Sequence, residues 1–375
     1  MRGFSRSLFS LVLAPALIIL WGAGAAAAQG TYSITDLGTL NPTDQFSQAF
    51  GINNYGQVSG FVLTTGATPH GFLWTPTAAN GTTGTMIDLG RSQSGVGGAF
   101  KLNDYGQVLL NVAVNTAFGV QNQAHLWTPL VANGTTGSLM SIGGITGPDG
   151  VSNGYALNSS GQVAGSSYPG VCILWTPDLP NAPTGSYNSY FNGTTTEPGF
   201  GYSSQGGNAS GLNDSGVVTG SMQAGFYSFP STHWDPTFHY TEADIISPSY
   251  DPGSQDYSGW GNAINAAGNV TGSVIFPGIF QLRPFFFDGT TMVDLNPPGG
   301  GGTGNAINSF DQIVGVNGPR QPFIYKAGTS TLLSTLIDPG TGWILSDVTG
   351  INDKGQIVGS GSVNGQSHAF LLTPR

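Results

Sequence analysis

The sequence predicts an all-β fold, a seven-bladed β-propeller whose last blade is closed by the N-terminal strand. Three observations lead to this prediction: a composition that favours strands and tight turns, a hairpin motif that recurs seven times, and an N-terminal strand that the last repeat lacks. A propeller is the closed arrangement in which each copy of such a repeat supplies one small antiparallel sheet.

The composition is unusual for a soluble domain and disfavours helices. Of the 375 residues, 60 are glycine and only 7% are charged, whereas charged residues make up about 25% of an average domain. Strong helix formers such as Glu and Lys are scarce, while residues that suit strands and turns dominate. The hydrophobic share of 39% is too high for a disordered chain. A helical bundle and an ordinary α/β enzyme are therefore excluded.

Charge and cysteine content argue against a nucleic-acid-binding protein and against a domain that is stabilised by intramolecular disulfides. The formal net charge is −10, and the basic residues form no cluster anywhere in the chain. Proteins that bind nucleic acids neutralise phosphates with such clusters, so no nucleic-acid partner is predicted. Cys172 is the single cysteine, which rules out an intramolecular disulfide. It lies in an apolar run and is predicted to be a buried thiol.

Residues 1–28 have the pattern of a secretory signal peptide. Two arginines near the start precede an apolar run at 8–21, and Ala26–Ala28 offer a cleavage site of small residues. An uncleaved membrane anchor is the alternative, but the apolar run is shorter than the ~20 residues that span a bilayer. We expect residues 29–375 to form one domain, a monomer that is secreted or periplasmic and has no membrane anchor.

One motif recurs through the chain and defines the repeat. It has the form apolar-Asn-x-x-Gly-Gln-Val-x-Gly, and its copies are separated by 43 to 55 residues. Such a period, with about four short strands in each repeat, is typical of a propeller blade. An open solenoid with small rungs would show a period nearer half of this. The marker asparagines of the seven copies are Asn53, Asn103, Asn158, Asn213, Asn265, Asn308 and Asn352.

The motif predicts a tight hairpin in every copy. An apolar strand enters the turn at the marker asparagine, whose side chain can bond the backbone two residues further on. The glycine that follows supplies a left-handed conformation. Asp311 replaces this glycine in the sixth copy, and aspartate tolerates the conformation better than most residues. A ligand site needs only one or two such side chains, so we interpret the seven asparagines as structural.

Two further strands recur, and they predict how the ring closes. One ends in a large side chain, as at residues 72–76, and the other reads apolar-Asp-Leu-Gly, as at 86–90. The mature chain begins with an Asp-Leu-Gly strand at 33–38 and ends with a large-residue strand at 369–372. The N-terminal strand would therefore complete the last blade, whereas an open array would need polar caps.

These motifs resemble those of the bacterial extracellular HAF-repeat family over residues 32–373. The segment from His368 to Phe370 matches the His-Ala-Phe triplet of the family, and the segment from His70 to Phe72 nearly does. The resemblance implies a secreted repeat protein of unassigned activity. Other residues replace the histidine in the middle copies, which argues against a ring of metal ligands; they are Gln123, Val171, Pro230, Arg283 and Gln321.

Candidate binding residues lie in the two long insertions of the middle copies, 176–211 and 235–262. Loops on a rigid scaffold are frequent binding sites, and aromatic faces stack on sugars or apolar ligands. The alternative is that these rings only cover their own loops. The predicted ligand-binding residues are Tyr187, Tyr190, Tyr202, Tyr240, Tyr257 and Trp260.

Two classes of function stay open. The first is a binding or scaffold module for an extracellular glycan, polymer or protein. The second is an extracellular hydrolase or lyase that degrades a polymer at the propeller mouth, with Glu242 and Asp244 as candidates for general acid and base. The histidines show none of the spacings typical of zinc sites. The sequence therefore predicts no metal and no cofactor.

Overall fold

The chain adopts an all-β fold. The computed structural model describes residues 31–44, 46–66, 68–91, 101–116, 119–167, 171–191, 207–224, 227–234, 259–276, 279 and 281–375. Within these ranges the only helical elements are two 3₁₀ turns, Leu333–Thr335 and Pro339–Thr341. The described part contains no helix with the length and apolarity required to cross a membrane.

The strands follow the repeats of the sequence. β1 (Tyr32–Gly38) precedes the first repeat, which contains β2 (Phe46–Ile52), β3 (Val58–Leu63), β4 (Pro69–Pro76) and β5 (Gly84–Arg91). The second repeat contains β6 (Lys101–Leu102), β7 (Val108–Thr116), β8 (Gly119–Pro129) and β9 (Gly137–Gly143). The third contains β10 (Ser152–Leu157), β11 (Val163–Ser167), β12 (Val171–Pro177) and β13 (Gly185–Phe191).

The remaining repeats continue this order. The described residues of the fourth contain β14 (Gly207–Leu212), β15 (Val218–Ala224) and β16 (Tyr227–Trp234). The fifth contains β17 (Gly259–Ile264), β18 (Val270–Ile275), β19 (Leu282–Phe287) and β20 (Met292–Asp294). The sixth contains β21 (Thr303–Ile307), β22 (Ile313–Val316), β23 (Pro322–Lys326) and β24 (Thr329–Leu332). The last contains β25 (Ile344–Ile351), β26 (Ile357–Val363) and β27 (Gln366–Pro374).

Neighbouring strands of each repeat pair antiparallel in chain order, which makes the fold of β-propeller type. The N-terminal strand pairs with the last strand of the chain. β1 runs antiparallel to β27, from Tyr32 opposite Pro374 to Gly38 opposite Ala369. Leu37 is buried, and Ile34 packs half-buried against the core of the last repeat.

The final glycine of the motif and the phenylalanine of the third strand are paired in the core. Gly60 lies opposite Phe72 in the first repeat, and three other repeats have the same glycine–phenylalanine register. A Cβ atom built on Gly60 would lie 2.7 Å from the Phe72 ring. Any larger residue would therefore displace a fully buried aromatic side chain, and aromatic rings contribute much of the apolar area in a core.

Cys172 is buried in the third repeat, as the sequence predicts. It lies on β12 in an apolar cluster with Leu174 and Val218. Burial raises the pKa of its thiol to about 12. Since the thiolate is the reactive form, this cysteine acts as a small apolar side chain.

Candidate functional site

The marker asparagines shape the hairpins as predicted. In the first copy, Asn53 Oδ1 accepts hydrogen bonds from the backbone N–H groups of Tyr55 and Gln57, at 3.2 and 2.9 Å. The backbone N–H of Gly56 donates to the Asn53 carbonyl, and Gly56 has a φ of +89°. Asp311, which replaces the glycine in the sixth copy, has a φ of +58°. The motif therefore builds the same turn with either residue.

The marker side chains also link each copy to the next, a role that the sequence analysis missed. In every copy the Nδ2 amide donates to the backbone carbonyl of the next marker, and the last marker donates to the first. The bonds therefore form a closed cycle of buried amides. They run in the order Asn53, Asn103, Asn158, Asn213, Asn265, Asn308, Asn352 and back to Asn53, at 2.9 to 3.2 Å.

The glutamine of the motif connects this cycle to the outer loops. Gln57 Nε2 donates to Thr75 Oγ1 in its own repeat and to the carbonyl of Asn133 in the next repeat, at 3.0 and 3.2 Å. Gln107 and Gln356 make the equivalent pairs of bonds. Because each glutamine bonds to two repeats, the hairpins and the loops between third and fourth strands are held together on one face.

The asparagine cycle surrounds an axial pocket of about 340 Å³. Three consecutive residues of each copy line it: the apolar residue, the marker asparagine and the residue that follows the marker. Apart from the apolar residues and one alanine, the side chains that line it are polar, three of them are acidic, and none of the described lining residues is basic. The residues that follow the markers are Asn54, Asp104, Ser159, Asp214, Ala266, Ser309 and Asp353.

Three of these residues are aspartates that form a second layer of hydrogen bonds at the pocket. The Asp104 carboxylate accepts from the backbone N–H and the side-chain amide of Asn54, at 2.8 and 3.0 Å. Asp214 and Asp353 accept in the same way from the backbone and hydroxyl of the serine in the preceding copy. A carboxylate oxygen has two lone pairs, so the oriented carboxylates keep acceptor capacity for a ligand.

The sequence contains a signal for this site. The position after the marker carries aspartate in three copies and asparagine or serine in three others. A hairpin alone does not require a side chain that accepts or donates hydrogen bonds at this position. Alternation of donor and acceptor side chains in successive copies is therefore the pattern that would have predicted the second layer.

Exposed apolar side chains lie on the same face as the pocket. They belong to the loops between third and fourth strands of the second and third repeats and to the sixth hairpin. The backbone N–H of Asn133 in one such loop donates to the carbonyl of Tyr105 in a hairpin at 2.8 Å. Such side chains are available for contact with a partner on this face. Four of them are 66 to 73% exposed: Leu130, Val131, Leu179 and Phe310.

Neither Tyr187 nor Trp260 lines the axial pocket, and the binding role of the predicted aromatic residues stays a prediction. Tyr187 is half-buried, and its hydroxyl donates to the carbonyl of Gly143 at 2.9 Å. Trp260 is 37% exposed near the start of β17, whereas the hairpin follows the end of that strand, so Trp260 lies away from the axial pocket. Tyr190 lies on β13 opposite Ile173. Outside the described residues lie Tyr202, Tyr240, Tyr257 and the candidate acid and base Glu242 and Asp244.

Polar contacts between side chains connect the third and fourth strands of three sheets. The histidine of the triplet, or an arginine in its place, contacts the aspartate of the neighbouring Asp-Leu-type strand. The two recurring motifs thus meet in one contact. Among the described residues, no group of three or more His, Cys, Asp or Glu side chains could hold a metal ion. The pairs are His70 with Asp88 and His368 with Asp36, both at 2.9 Å, and Arg283 with Asp294 at 3.0 Å.

We expect Tyr187→Phe to reduce the alkaline sensitivity of the fold. Burial raises the pKa of Tyr187 from 10 to about 12, so the unfolded chain loses this proton at lower pH than the folded chain. The corresponding stability is present below pH 10 and is lost as the pH rises toward 12. Phenylalanine removes this dependence, although the lost bond to Gly143 lowers stability at pH 7 by about 1 kcal/mol. Urea titrations at pH 7, 10 and 11 measure both effects, and an equal alkaline decline in both proteins would contradict the expectation.

Comparisons with known proteins relate the chain to solved structures only. No family model matches it, and no curated protein matches it. One similar structure is YCF48 bound to a D1 peptide, with 11% identity, 93% of this chain and 98% of that chain covered, and a TM-score of 0.48. Another is a candidate oxidoreductase (glucose dehydrogenase) from Thermus thermophilus, with 12% identity, 91% and 99% covered, and a TM-score of 0.39. Similarity at this level carries no statement about function.

Proposed function

We propose that the chain is a seven-bladed β-propeller of HAF-repeat type, closed by its N-terminal strand, which acts outside the cytoplasm as a binding module for a protein ligand. The closed cycle of seven asparagine bonds supports the blade number. The pairing of β1 with β27 supports the closure. The signal-peptide pattern of residues 1–28 supports secretion.

The axial pocket is the observation that carries the binding function. Three oriented carboxylates line a polar cavity that includes no basic side chain, so the pocket favours a cationic group. Its volume of about 340 Å³ admits a lysine or arginine side chain. The exposed apolar residues on the same face offer contact area to the surface around such a side chain. A protein that presents a basic side chain within an apolar patch fits both features.

Charge-removing substitutions in the pocket test this function. The secreted chain is screened on arrays of basic peptides and of neutral glycans, and bound ligands are then titrated. We expect Asp104→Asn, Asp214→Asn and Asp353→Asn each to weaken binding of a basic peptide by roughly 1.5–3 kcal/mol, the size of a hydrogen bond to a charged group. Asp149→Asn removes the same charge from an exposed site outside the pocket lining and serves as the matched control.

The same screen separates the other ligand classes and the enzymatic alternative. Glycan binding that survives the three pocket substitutions but is lost in Trp260→Ala would place the ligand elsewhere and contradict the pocket proposal. Release of reducing ends from a polysaccharide, abolished by Glu242→Gln or Asp244→Asn, would favour the hydrolase or lyase. The N-terminal sequence of the secreted protein tests the proposed secretion and the cleavage of the signal peptide, and we expect it to begin at Gln29.

A further inference from the structure

The rim of the axial pocket is raised on one side. In each of the first three repeats, the loop between the third and fourth strands packs over the hairpin, and a backbone N–H of the loop donates to a hairpin carbonyl at 2.7 to 2.8 Å. The donors are Asn80, Asn133 and Asn181. A Cβ atom built on the hairpin glycine of the same repeat would lie 2.9 to 3.2 Å from the Cα atom of this asparagine. The loops therefore cover their own hairpins; they span 77–83, 130–136 and 178–184.

The fifth repeat leaves its hairpin uncovered. A short turn at 288–291 joins its third and fourth strands. Apart from its chain neighbours, no described atom lies within 4 Å of a Cβ atom built on the hairpin glycine, Gly268. Ala266 and Ala267 of the same hairpin are exposed, and the first two copies carry tyrosine at the position of Ala267. Residues 266–268 therefore form a notch, a low part of the rim.

The second layer of hydrogen bonds is interrupted at this notch. In four copies the backbone N–H of the residue after the marker donates to a side chain of the next copy. Ala266 occupies this position in the fifth copy and lines the pocket, but its backbone N–H has no partner among the described residues. The next side chain in the ring, the Ser309 hydroxyl, bonds to Asp353 on its other side. The notch therefore presents a backbone donor to a molecule in the pocket.

The side chains on both sides of the notch determine which ligand is favoured there. The fourth hairpin carries Asp214, one of the three aspartates of the pocket, and the sixth carries Phe310, which is 69% exposed. An acidic group and an aromatic ring suit a segment with a basic and an apolar residue. The seventh hairpin carries the exposed Lys354 at the position of Ala267, and its like charge disfavours the approach of a cation. A cationic segment is therefore favoured at the notch over the seventh repeat.

We propose that the notch is the entry for an extended segment of the partner, which crosses residues 266–268 and places a basic side chain in the axial pocket. This inference rests on the proposed binding function and specifies its ligand as a linear peptide segment. The two strands of a hairpin lie about 4.8 Å apart, so the width of one hairpin admits one extended chain. The Ala266 N–H donates to a carbonyl of the segment, the kind of main-chain bond that holds extended peptides. A folded surface would first meet the raised loops of the first three repeats.

Two capped probes test the proposal on the full secreted chain by calorimetric or NMR titration. Acetyl-lysine methylamide is small enough to occupy the pocket alone, whereas the linear peptide acetyl-Gly-Leu-Lys-Leu-Gly-amide spans the pocket and the notch. Ala267→Tyr fills the notch with the residue of the first two copies and leaves the pocket lining unchanged. We expect it to weaken peptide binding by roughly tenfold, which corresponds to about 1.4 kcal/mol. The affinity for the capped lysine should change far less.

Ser160→Tyr is the matched control, because it adds the same ring to the third hairpin, which its own loop already covers. We expect this variant to bind the peptide like the unaltered chain. Equal peptide affinity in Ala267→Tyr and the unaltered chain, while Asp214→Asn still weakens both probes, would overturn the notch proposal and leave the pocket as the binding site. If Asp214→Asn weakens neither probe, the proposed function fails together with the notch.

Discussion

A chain that begins at residue 39 should melt far below one that begins at residue 31, or fail to fold. Removing β1 takes away the partner of β27 along its whole register. It also removes Leu37 and Ile34 from the core, and full burial of one such side chain is worth about 1.5–3 kcal/mol. The newly exposed edge of β27 favours aggregation. Together these losses approach the ~5–15 kcal/mol by which a typical domain is stable.

Thermal melts of the chains 31–375 and 39–375 measure this effect. The longer chain keeps Thr31, whose carbonyl accepts a hydrogen bond from the backbone N–H of Arg375 at 2.9 Å. A synthetic peptide of residues 31–38, added in excess, should raise the melting temperature of the shorter chain because it can occupy the open edge. Leu37→Ala should cost about 2–5 kcal/mol in the full chain. Equal melting temperatures for the two chains would show that β1 does not close the fold.

Asn103→Ala should destabilise the protein by roughly 3–5 kcal/mol, far more than most substitutions in a turn. Its Nδ2 donates to the Asn158 carbonyl and Gln107 Oε1, both at 2.9 Å, and to Asn181 Oδ1 at 3.2 Å. Its Oδ1 accepts from the backbone N–H of Gln107 at 2.9 Å. Alanine leaves the backbone N–H and the Oε1 atom of Gln107 without these partners, whereas the Asn158 carbonyl keeps only the bond from the Gly161 N–H. Each buried group that loses its partner costs about 1–3 kcal/mol.

The neighbouring residue provides the matched control. Asp104→Ala removes bonds only to Asn54 at an exposed position, so we expect a loss of about 1 kcal/mol. Asn103→Asp keeps the acceptor but places an oxygen against the Asn158 carbonyl, so it should be at least as harmful as alanine. Urea unfolding at pH 7 ranks the three variants. If Asn103→Ala unfolds at the same urea concentration as Asp104→Ala, the cycle does not hold the repeats together.

The hairpins were predictable because the interactions that shape them are local. Asn53 bonds the backbone two and four residues away, and Gly56 needs a conformation that glycine adopts easily. The cycle was not predictable in this way. The side-chain amide of Asn53 also donates to the carbonyl of Asn103, fifty residues further along the chain. The motif alone does not indicate that this amide bonds to another copy of the repeat.

The candidate site was predicted less well than the fold. The aromatic residues of the insertions were predicted to bind a ligand because they are numerous. The hydroxyl of one of them, Tyr187, donates its hydrogen bond to the neighbouring second repeat. Asp104, Asp214 and Asp353 are each ordinary polar residues of a turn in the sequence. The three aspartates line one pocket only because the first and last copies of the repeat lie next to each other in the fold.

The direction of the asparagine bonds and the positions of the aspartates together determine the orientation of a bound partner. All seven amides point the same way around the axis, so the cycle alone has a rotational pseudosymmetry and offers seven equivalent orientations. The aspartates occupy the second, fourth and seventh copies, at intervals of two, three and two. No rotation other than a full turn superposes this set on itself. A partner that contacts all three carboxylates is therefore held at a single angle, facing the same repeats every time it binds.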